Sequence, residues 1–213
     1  MLTVNEIFHS IQGESSRAGR PCVFIRLTAC DLRCSWCDTP YAFDEGRKRS
    51  VGEVVDEVER IGCPLVEITG GEPLLQADVY PLMDALLARG YTVLVETGGH
   101  LSTERVPPAV LKIVDVKCPG SGESHRNDWQ NLDRLSSHDE IKFVIKDRAD
   151  YDFARAVVER HGLAARCADV LFSPVHGVLE PSALAAWMLA DRVTARLQVQ
   201  LHKYIWSPTA RGV

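Results

Sequence analysis

Cys30-Asp-Leu-Arg-Cys34-Ser-Trp-Cys37 is the stretch of sequence from which the fold and the chemistry of this chain follow. Its cysteines have the spacing C-x3-C-x2-C and come soon after a strand-like apolar run. Thiolates are soft ligands, so three of them on one short segment suit an iron–sulfur cluster or a zinc ion. Both groups usually take four protein ligands. With three ligands, a four-iron cluster would keep one iron free to bind another molecule.

A second motif, Gly70-Gly71-Glu72-Pro73, follows the apolar run from Leu65 to Ile68. With the cysteine spacing, and with Trp36 just before the third cysteine, it makes the chain resemble the radical S-adenosylmethionine (SAM) superfamily. The resemblance implies that the three cysteines hold a [4Fe–4S] cluster and that the glycine motif meets the amino group of SAM. A structural zinc site completed by a distant Cys or His is the alternative, but zinc would not explain the glycine motif.

Length and composition limit the class of protein. The 213 residues fit one domain, residues 1–213, with a substantial core. The net charge of −5 argues against a general nucleic-acid binder, and no apolar run is long enough to span a membrane. Seven cysteines is an odd number, and the spacing of those outside the motif does not suggest disulfide pairs. A reducing, cytoplasmic setting is therefore expected, with the scattered cysteines buried as small apolar residues.

Short apolar runs alternate with amphipathic helices along the chain. Predicted strands cover residues 22–27, 65–69, 91–95, 113–116, 141–145, 170–172 and 197–201, and predicted helices cover 51–61, 79–89, 150–161 and 181–191. This alternation is typical of a parallel sheet. Six or seven strand–helix units are too few for an eight-fold barrel. We therefore expect an α/β fold with parallel strands in a partial, open (βα)6-type TIM barrel, the architecture for which the superfamily is known.

Polar and glycine-rich segments recur where the predicted strands end. They are residues 28–37, 69–73, 96–99, 117–120, 173–177 and 202–204. In barrels and open α/β sheets, binding sites collect at the carboxyl edge of the strands. One edge of a single sheet is therefore expected to gather all these segments.

Further segments are similar to the 7-carboxy-7-deazaguanine synthases, a family within the superfamily. The matching segments are 6–14, 20–26, 37–39, 115–120, 173–175 and 202–206. The match departs at Ser15, where a glycine is common, and at Ala29-Cys-Asp31, where Gly-Cys-Asn is common. These departures affect loop geometry rather than a ligand.

The resemblance implies a ring contraction on the route to queuosine and related deazapurines. 6-Carboxy-5,6,7,8-tetrahydropterin becomes 7-carboxy-7-deazaguanine with loss of ammonia. The cluster passes an electron to SAM, and the resulting 5′-deoxyadenosyl radical takes a hydrogen atom from substrate C6. That hydrogen returns later, so the cofactor is regenerated. Mg²⁺, an electron donor such as flavodoxin or ferredoxin, and a homodimer are further implications of the resemblance.

The candidate substrate-binding residues are Gln12, Gly13, Glu14 and Arg26, and the resemblance implies that Thr69 also contacts the substrate. The carboxylate of Glu14 can accept two hydrogen bonds from the guanidine-like edge of a pterin, and the fork of Arg26 suits a carboxylate. Thr39 offers a hard oxygen, which suits Mg²⁺. The alternatives are a turn residue at Gln12, a solvated strand end at Arg26 and a loop cap at Thr39.

The resemblance implies that a second group of residues contacts SAM. It comprises Trp36, Cys37, Asp38, Gly71, Asp115, Val116, Lys117, Ser173, Pro174, Val175 and His176. Gly71 permits a close approach of the backbone because it has no side chain. Glu96 and Thr97, at the end of another strand, are further candidates for the same edge.

Two other functions remain compatible with the cysteine spacing. A glycyl-radical activase carries the same spacing, but it acts on a protein partner and should lack Gln12-Gly-Glu14 together with Arg26. A non-catalytic metal-binding interaction module would hold zinc or a cluster without cleaving SAM. Analysis of the metal and of the reaction products would separate these cases.

Overall fold

The computed structural model describes all 213 residues and is built on one nine-stranded sheet. The strands are β1 Leu2–Ile11, β2 Pro21–Leu27, β3 Arg47–Arg49, β4 Leu65–Gly70, β5 Thr92–Thr97, β6 Leu111–Asp115, β7 Glu140–Ile145, β8 Asp169–Pro174 and β9 Arg196–Leu197. The α-helices are α1 Val51–Ile61, α2 Val79–Ala88, α3 Gln130–Asp133, α4 Arg148–His161, α5 Pro181–Asp191 and α6 His202–Ile205. None of these helices combines the length and the apolar character that a membrane span requires.

The order of strands in the sheet is β3-β1-β2-β4-β5-β6-β7-β8-β9. From β2 through β4 to β8, each strand runs parallel to its neighbour, and the two-residue β9 continues that direction. The sheet does not close on itself, because β3 and β9 remain its two edges. Six parallel strands of five or more residues thus form the predicted partial, open barrel.

Local signals set the ends of the helices. The hydroxyl of Ser50 accepts from the backbone N–H of Glu53, and the Glu53 carboxylate accepts from the backbone N–H of Ser50, so that α1 begins in a capping box. At the start of α4, the Asp147 carboxylate accepts from the backbone N–H of Asp150. Gly62 and Gly162 end these two helices with φ values of 77° and 60°, a left-handed conformation that glycine adopts without steric cost.

The two faces of the parallel strands differ in polarity. Successive side chains of a strand point to opposite faces. In β4, Val66 and Ile68 belong to the apolar core, whereas Glu67 and Thr69 line the barrel interior. Other strands repeat this pattern with charged residues on the inner face, so the interior of the barrel is polar and mostly shielded from solvent.

The two ends of the sheet differ from the prediction. The first strand, β1, is not among the predicted strands, and it pairs antiparallel with both β2 and β3. The predicted last strand, 197–201, was wrong: β9 ends at Leu197, and the chain then turns into α6. Alternation of apolar and polar residues suggested a strand there, but these residues contact the β1–β2 loop instead.

Ser15 and Ala29 lie in an unusual backbone conformation. Their φ angles are 64° and 81°, a region that side chains with a Cβ rarely adopt. Both are positions where the resembled family commonly has glycine. At Ala29 this conformation directs the carbonyl oxygen toward Glu72, whose backbone N–H donates to it at 2.7 Å.

We expect Ala29→Gly to stabilise the cluster-free protein by about 0.5–1 kcal/mol, because relief of left-handed strain exceeds the added entropy of glycine in the unfolded chain. The measurement is the midpoint of urea unfolding. As a control, Ala85→Gly within α2 should destabilise by about 1 kcal/mol. A lower midpoint for Ala29→Gly would show that Ala29 is not strained.

Candidate functional site

A cavity of about 600 Å³ opens at the carboxyl edge of the parallel strands. Most of the residues singled out in the sequence line it: Gln12, Gly13, Glu14, Arg26, Cys30, Cys34, Trp36, Cys37, Asp38, Thr39, Thr69, Gly71, Asp115, Lys117, Val175 and His176. Its size is within the range of small-molecule sites. Val116, Ser173 and Pro174 are buried behind it and do not line it.

The cysteine loop is held by the segment that follows β6. The backbone N–H of Ser35 donates to the carbonyl oxygen of Ser121 at 3.0 Å, and its hydroxyl donates to the carbonyl oxygen of Gly120 at 2.9 Å. The backbone of Arg33 donates to Glu123 at 2.7 Å, and its guanidinium donates to the carbonyl of Cys30 at 2.7 Å. The loop is therefore ordered by the chain itself.

The three cysteines of the loop line the cavity and form no disulfides. Burial raises the pKa of Cys34, and the nearby ammonium of Lys117 acts in the opposite direction. No group of three or more His, Cys, Asp or Glu side chains is close enough to hold a single metal ion. The soft donors, the open cavity and the adjacent positive charge suit a larger, negatively charged thiolate-bound group.

The glycine motif packs directly against the cysteine loop. A Cβ atom on Gly71 would lie 2.1 Å from the carbonyl oxygen of Ala29, so any side chain here would displace the loop. Glu72 is buried and accepts bonds from the Thr97 hydroxyl and the Gly98 backbone. The motif thus joins the ends of β4 and β5 to the cysteine loop.

Asp115 and Lys117 form an ion pair at the end of β6. The Nζ of Lys117 lies 2.7 Å from one carboxylate oxygen of Asp115, and the other oxygen is buried without a hydrogen-bond partner. Burial disfavours the charge of Lys117, but Asp115 outweighs this effect and raises the pKa of Lys117. The free oxygen of Asp115 can therefore accept a hydrogen bond from a ligand in the cavity.

Arg26 is enclosed near the end of β2 and is not the solvated strand end that was considered. Its Nε donates to Glu6 at 2.8 Å, and its guanidinium carbon lies 5.9 Å from the ring centres of both Phe8 and Tyr41. The two Nη groups make no hydrogen bond within the chain. They are free to bind a carboxylate through both of its oxygens.

Glu14 is anchored through both of its carboxylate oxygens. One accepts from Gln200 at 2.9 Å, and the other pairs with the ammonium of Lys142. Burial acts to raise the pKa of Glu14, but the charge of Lys142 outweighs it and lowers that pKa. A carboxylate has about four acceptor positions, so Glu14 retains positions for a ligand.

Gln12 is buried, and its side chain does more than stabilise a turn. Its amide nitrogen donates to Glu67, and its amide oxygen accepts from the backbone of Glu14 at 3.0 Å. Burial, with the charges of Glu96 and Glu14, raises the pKa of Glu67 well above its usual value. Glu67 therefore favours its neutral form beneath the cavity.

Thr39 does not act as a loop cap. It precedes a short 3-10 helix, Pro40–Phe43, but makes no capping hydrogen bond. Its contact is with Cys37, at 3.9 Å between oxygen and sulfur. Burial would raise the pKa of the neighbouring Asp38, but the Lys203 ammonium at 2.7 Å lowers it to about 2.

The carboxyl-terminal segment completes the cavity. Gln200, His202 and Lys203 line it, and Leu201 donates its backbone N–H to the carbonyl of Gly13 at 2.9 Å. A Cβ atom on Gly13 would lie 2.2 Å from the imidazole of His202. Gly13 therefore serves the close approach of this segment to the β1–β2 loop.

Sequence reasoning did not identify Glu67, Lys142 or Gln200 as site residues. Glu67 and Lys142 lie within predicted strands, and the signal that could have revealed them is a charge inside an otherwise apolar run. Gln200 lies in the predicted last strand, which the structure does not form there. Its position depends on contacts between residues far apart in sequence, which no local pattern reveals.

Comparison with known proteins places the site in a family. A model of the radical SAM superfamily matches residues 24–160. The chain is 50% identical to a 7-carboxy-7-deazaguanine synthase of Koribacter versatilis, with all of both chains covered, and 46% identical to one of Chlorobaculum tepidum, covering all of this chain and 97% of the relative. The crystal structure of QueE from Escherichia coli is similar with a TM-score of 0.77 and 25% identity, covering 94% of each chain.

We expect Cys30→Ala, Cys34→Ala and Cys37→Ala each to abolish iron loading and the brown colour after anaerobic reconstitution, because each removes a thiolate ligand. Iron per chain and visible absorbance provide the measurement. Cys63→Ala, Cys118→Ala and Cys167→Ala are the controls and should retain the iron. Loss of iron from a folded control variant would make this ligand assignment wrong.

Proposed function

The chain belongs to the radical SAM superfamily and, within it, to the 7-carboxy-7-deazaguanine synthases, and from this membership we propose how its cavity works. The reaction converts 6-carboxy-5,6,7,8-tetrahydropterin into 7-carboxy-7-deazaguanine and ammonia, in deazapurine and queuosine biosynthesis. The observation that carries the proposal is that the cysteine loop, the glycine motif and the unpaired fork of Arg26 open on one cavity. A single domain, residues 1–213, supplies all of them.

The superfamily implies a [4Fe–4S] cluster and SAM, and the residues of the cavity suit both. Cys30, Cys34 and Cys37 would hold the cluster, since all three belong to one short loop that lines the cavity. When bound, the cluster and SAM supply the 5′-deoxyadenosyl radical that takes a hydrogen atom from the substrate. The chain's own task is to hold the substrate carbon at the right place, where a small misplacement costs about a hundredfold in rate.

The cysteine loop, the glycine motif and the end of β6 carry the residues that would hold SAM. Gly71 brings the backbone close to the loop, and the free oxygen of Asp115 can accept a hydrogen bond. Trp36, Asp38 and Lys117 also line the cavity. Val175 and His176 line it from the end of β8, with Ser173 and Pro174 supporting them from behind. Val116 supports Asp115 and Lys117 in the same manner.

The substrate would be held at both of its ends. Its carboxylate fits the two free Nη groups of Arg26, whose orientation is fixed by Glu6 and by the neighbouring aromatic rings. Its guanidine-like edge fits the ionised carboxylate of Glu14. Gln12 and Thr69 line the cavity nearby, and Gly13 positions the backbone. The anchoring side chains are in place before the substrate arrives, which reduces the entropy lost on binding.

Thr39 would contribute an oxygen ligand to Mg²⁺ beside the substrate. Its hydroxyl lines the cavity and is free of any capping bond. Mg²⁺ is usually bound by few protein ligands together with waters and substrate oxygens, so one hydroxyl and the substrate carboxylate are a suitable set.

The protein is also proposed to act as a homodimer and to receive electrons from a flavodoxin or a ferredoxin. Exposed apolar side chains at Val178, Tyr204 and Ile205 support a contact with a second copy. Sedimentation of the purified chain measures the mass of the assembly, and a monomer would exclude the dimer.

The proposed function is tested by anaerobic incubation of the reconstituted protein with the tetrahydropterin acid, SAM and a reductant. Mass spectrometry should detect 7-carboxy-7-deazaguanine together with ammonia in equal amount. Cleavage of SAM without any deazapurine product, or modification of a protein partner, would contradict the proposal.

Arg26→Lys and Glu14→Gln should each lower kcat/KM by about a hundredfold. Arg26→Lys loses the bidentate contact with the substrate carboxylate, and Glu14→Gln loses the negative charge that faces the guanidine-like edge. Iron content and slow SAM cleavage without substrate should stay within about twofold of wild type, since neither residue touches the cysteine loop. Arg155→Lys, on the outer helix α4, is the matched control. Near-normal product formation by both variants would exclude these residues as substrate ligands.

Thr39→Ala should weaken the dependence of turnover on Mg²⁺, while Thr39→Ser, which keeps the hydroxyl, should preserve it. The measurement is the initial rate across a Mg²⁺ titration, with iron content determined in parallel. An unchanged Mg²⁺ response in Thr39→Ala would remove Thr39 from the metal site.

A further inference from the structure

We propose that Lys142 is a positioning residue that holds Glu14 in the direction needed to recognise the amino-bearing edge of the substrate. The inference rests on the proposed function, because it concerns the same cavity. Lys142 lies on β7, within the barrel, and only 5% of the residue is exposed. Nothing in its local sequence distinguishes it from an ordinary strand residue.

Lys142 contacts two carboxylates that come from different parts of the fold. Its ammonium pairs with Glu14, from the β1–β2 loop, and with Glu96, at 2.7 Å, from β5. Because a Lys ammonium has three donors, it can serve both partners at once. Lys142 thereby connects the loop that carries Glu14 to two strands of the barrel.

The contact with Lys142 limits the directions that Glu14 can take. Gln200 holds one carboxylate oxygen and Lys142 holds the other, so rotation of the carboxylate would break one of the two bonds. The remaining acceptor positions are then fixed relative to the cavity. Without Lys142, Glu14 would keep a single neutral donor and could turn away from the ligand.

The charges of the group favour a ligand edge that donates hydrogen bonds. Glu14 and Glu96 present two carboxylates to the one ammonium of Lys142, and burial raises the pKa of Glu96. Glu67, directly below, favours its neutral form. Although burial acts in the opposite direction, Lys142 lowers the pKa of Glu14, so Glu14 keeps its negative charge in a site shielded from water, where that charge strengthens hydrogen bonds from N–H donors.

A second buried lysine provides a matched control. Lys112 lies on the neighbouring strand β6, is 6% exposed and pairs with Asp139 at 2.7 Å. Asp115 of the same strand is directly opposite Lys142 in the sheet. Since Lys112 is three residues from Asp115, it points to the outer face and does not line the cavity.

The experiment compares two ligands by fluorescence titration of the reconstituted protein with SAM present. One is 6-carboxypterin, and the other is its analogue with oxygen in place of the 2-amino group. Wild type should bind 6-carboxypterin more tightly than the analogue. In Lys142→Met this preference should fall at least tenfold, because Glu14 no longer faces the amino group. Lys112→Met should leave the preference unchanged, even if it unfolds more readily.

A variant that loses one buried charge can fail to fold, so a second comparison is needed. Lys142→Met with Glu96→Gln restores the net charge of the group, and its reference is Glu96→Gln alone. The preference of the double variant for 6-carboxypterin should be at least tenfold lower than that of Glu96→Gln alone. In every folded variant, iron content per chain after reconstitution should match wild type.

Two failures are distinguishable. If wild type binds neither pterin and forms no deazapurine, the proposed function is wrong. If wild type prefers 6-carboxypterin and Lys142→Met keeps that preference, Lys142 contributes only to stability and the inference is wrong. Recovery of the full preference in the double variant, relative to Glu96→Gln alone, would also overturn it.

Discussion

The parallel pairing of β2 with β4 is the contact on which the rest of the site depends. Its register sets Arg26 beside Thr69 and Leu27 beside Gly70, so the cysteine loop and the glycine motif leave the sheet side by side. Gly71 can then lie against the carbonyl of Ala29, where no side chain would fit. A shift of one residue in this pairing would turn Arg26 away from the cavity and into the apolar core.

Burying charged groups in the barrel interior costs free energy, and pairing between these charges must offset that cost. Removing a charged group from water is unfavourable by several kcal/mol unless it is paired and hydrogen-bonded. Here each inner charge has such a partner: Lys142 with Glu14 and Glu96, and Lys117 with Asp115. Because removal of one partner from a buried pair costs about 3–5 kcal/mol, these pairs limit which single substitutions the interior tolerates.

Much of the fold could be predicted because its signals are local. The capping box at Ser50, the glycine after α1 and the cysteine spacing each act within a few residues, and the structure follows them. The partial barrel followed from counting strand–helix units. Lys142 and Gln200 could not be found in this way, because their role depends on partners 46 to 186 residues away in sequence. The last predicted strand failed for the same reason.

The carboxyl-terminal segment explains how an open barrel can hold an enclosed site. The sheet leaves the edges at β3 and β9 unpaired, so backbone hydrogen bonds between strands do not close the ring. Instead, Leu201 bonds to Gly13, and Lys203 bonds to Asp38 beside the cysteine loop. Closure therefore comes from loops that also carry the candidate ligands. In this fold, the cavity therefore takes its correct shape when the last residues dock correctly.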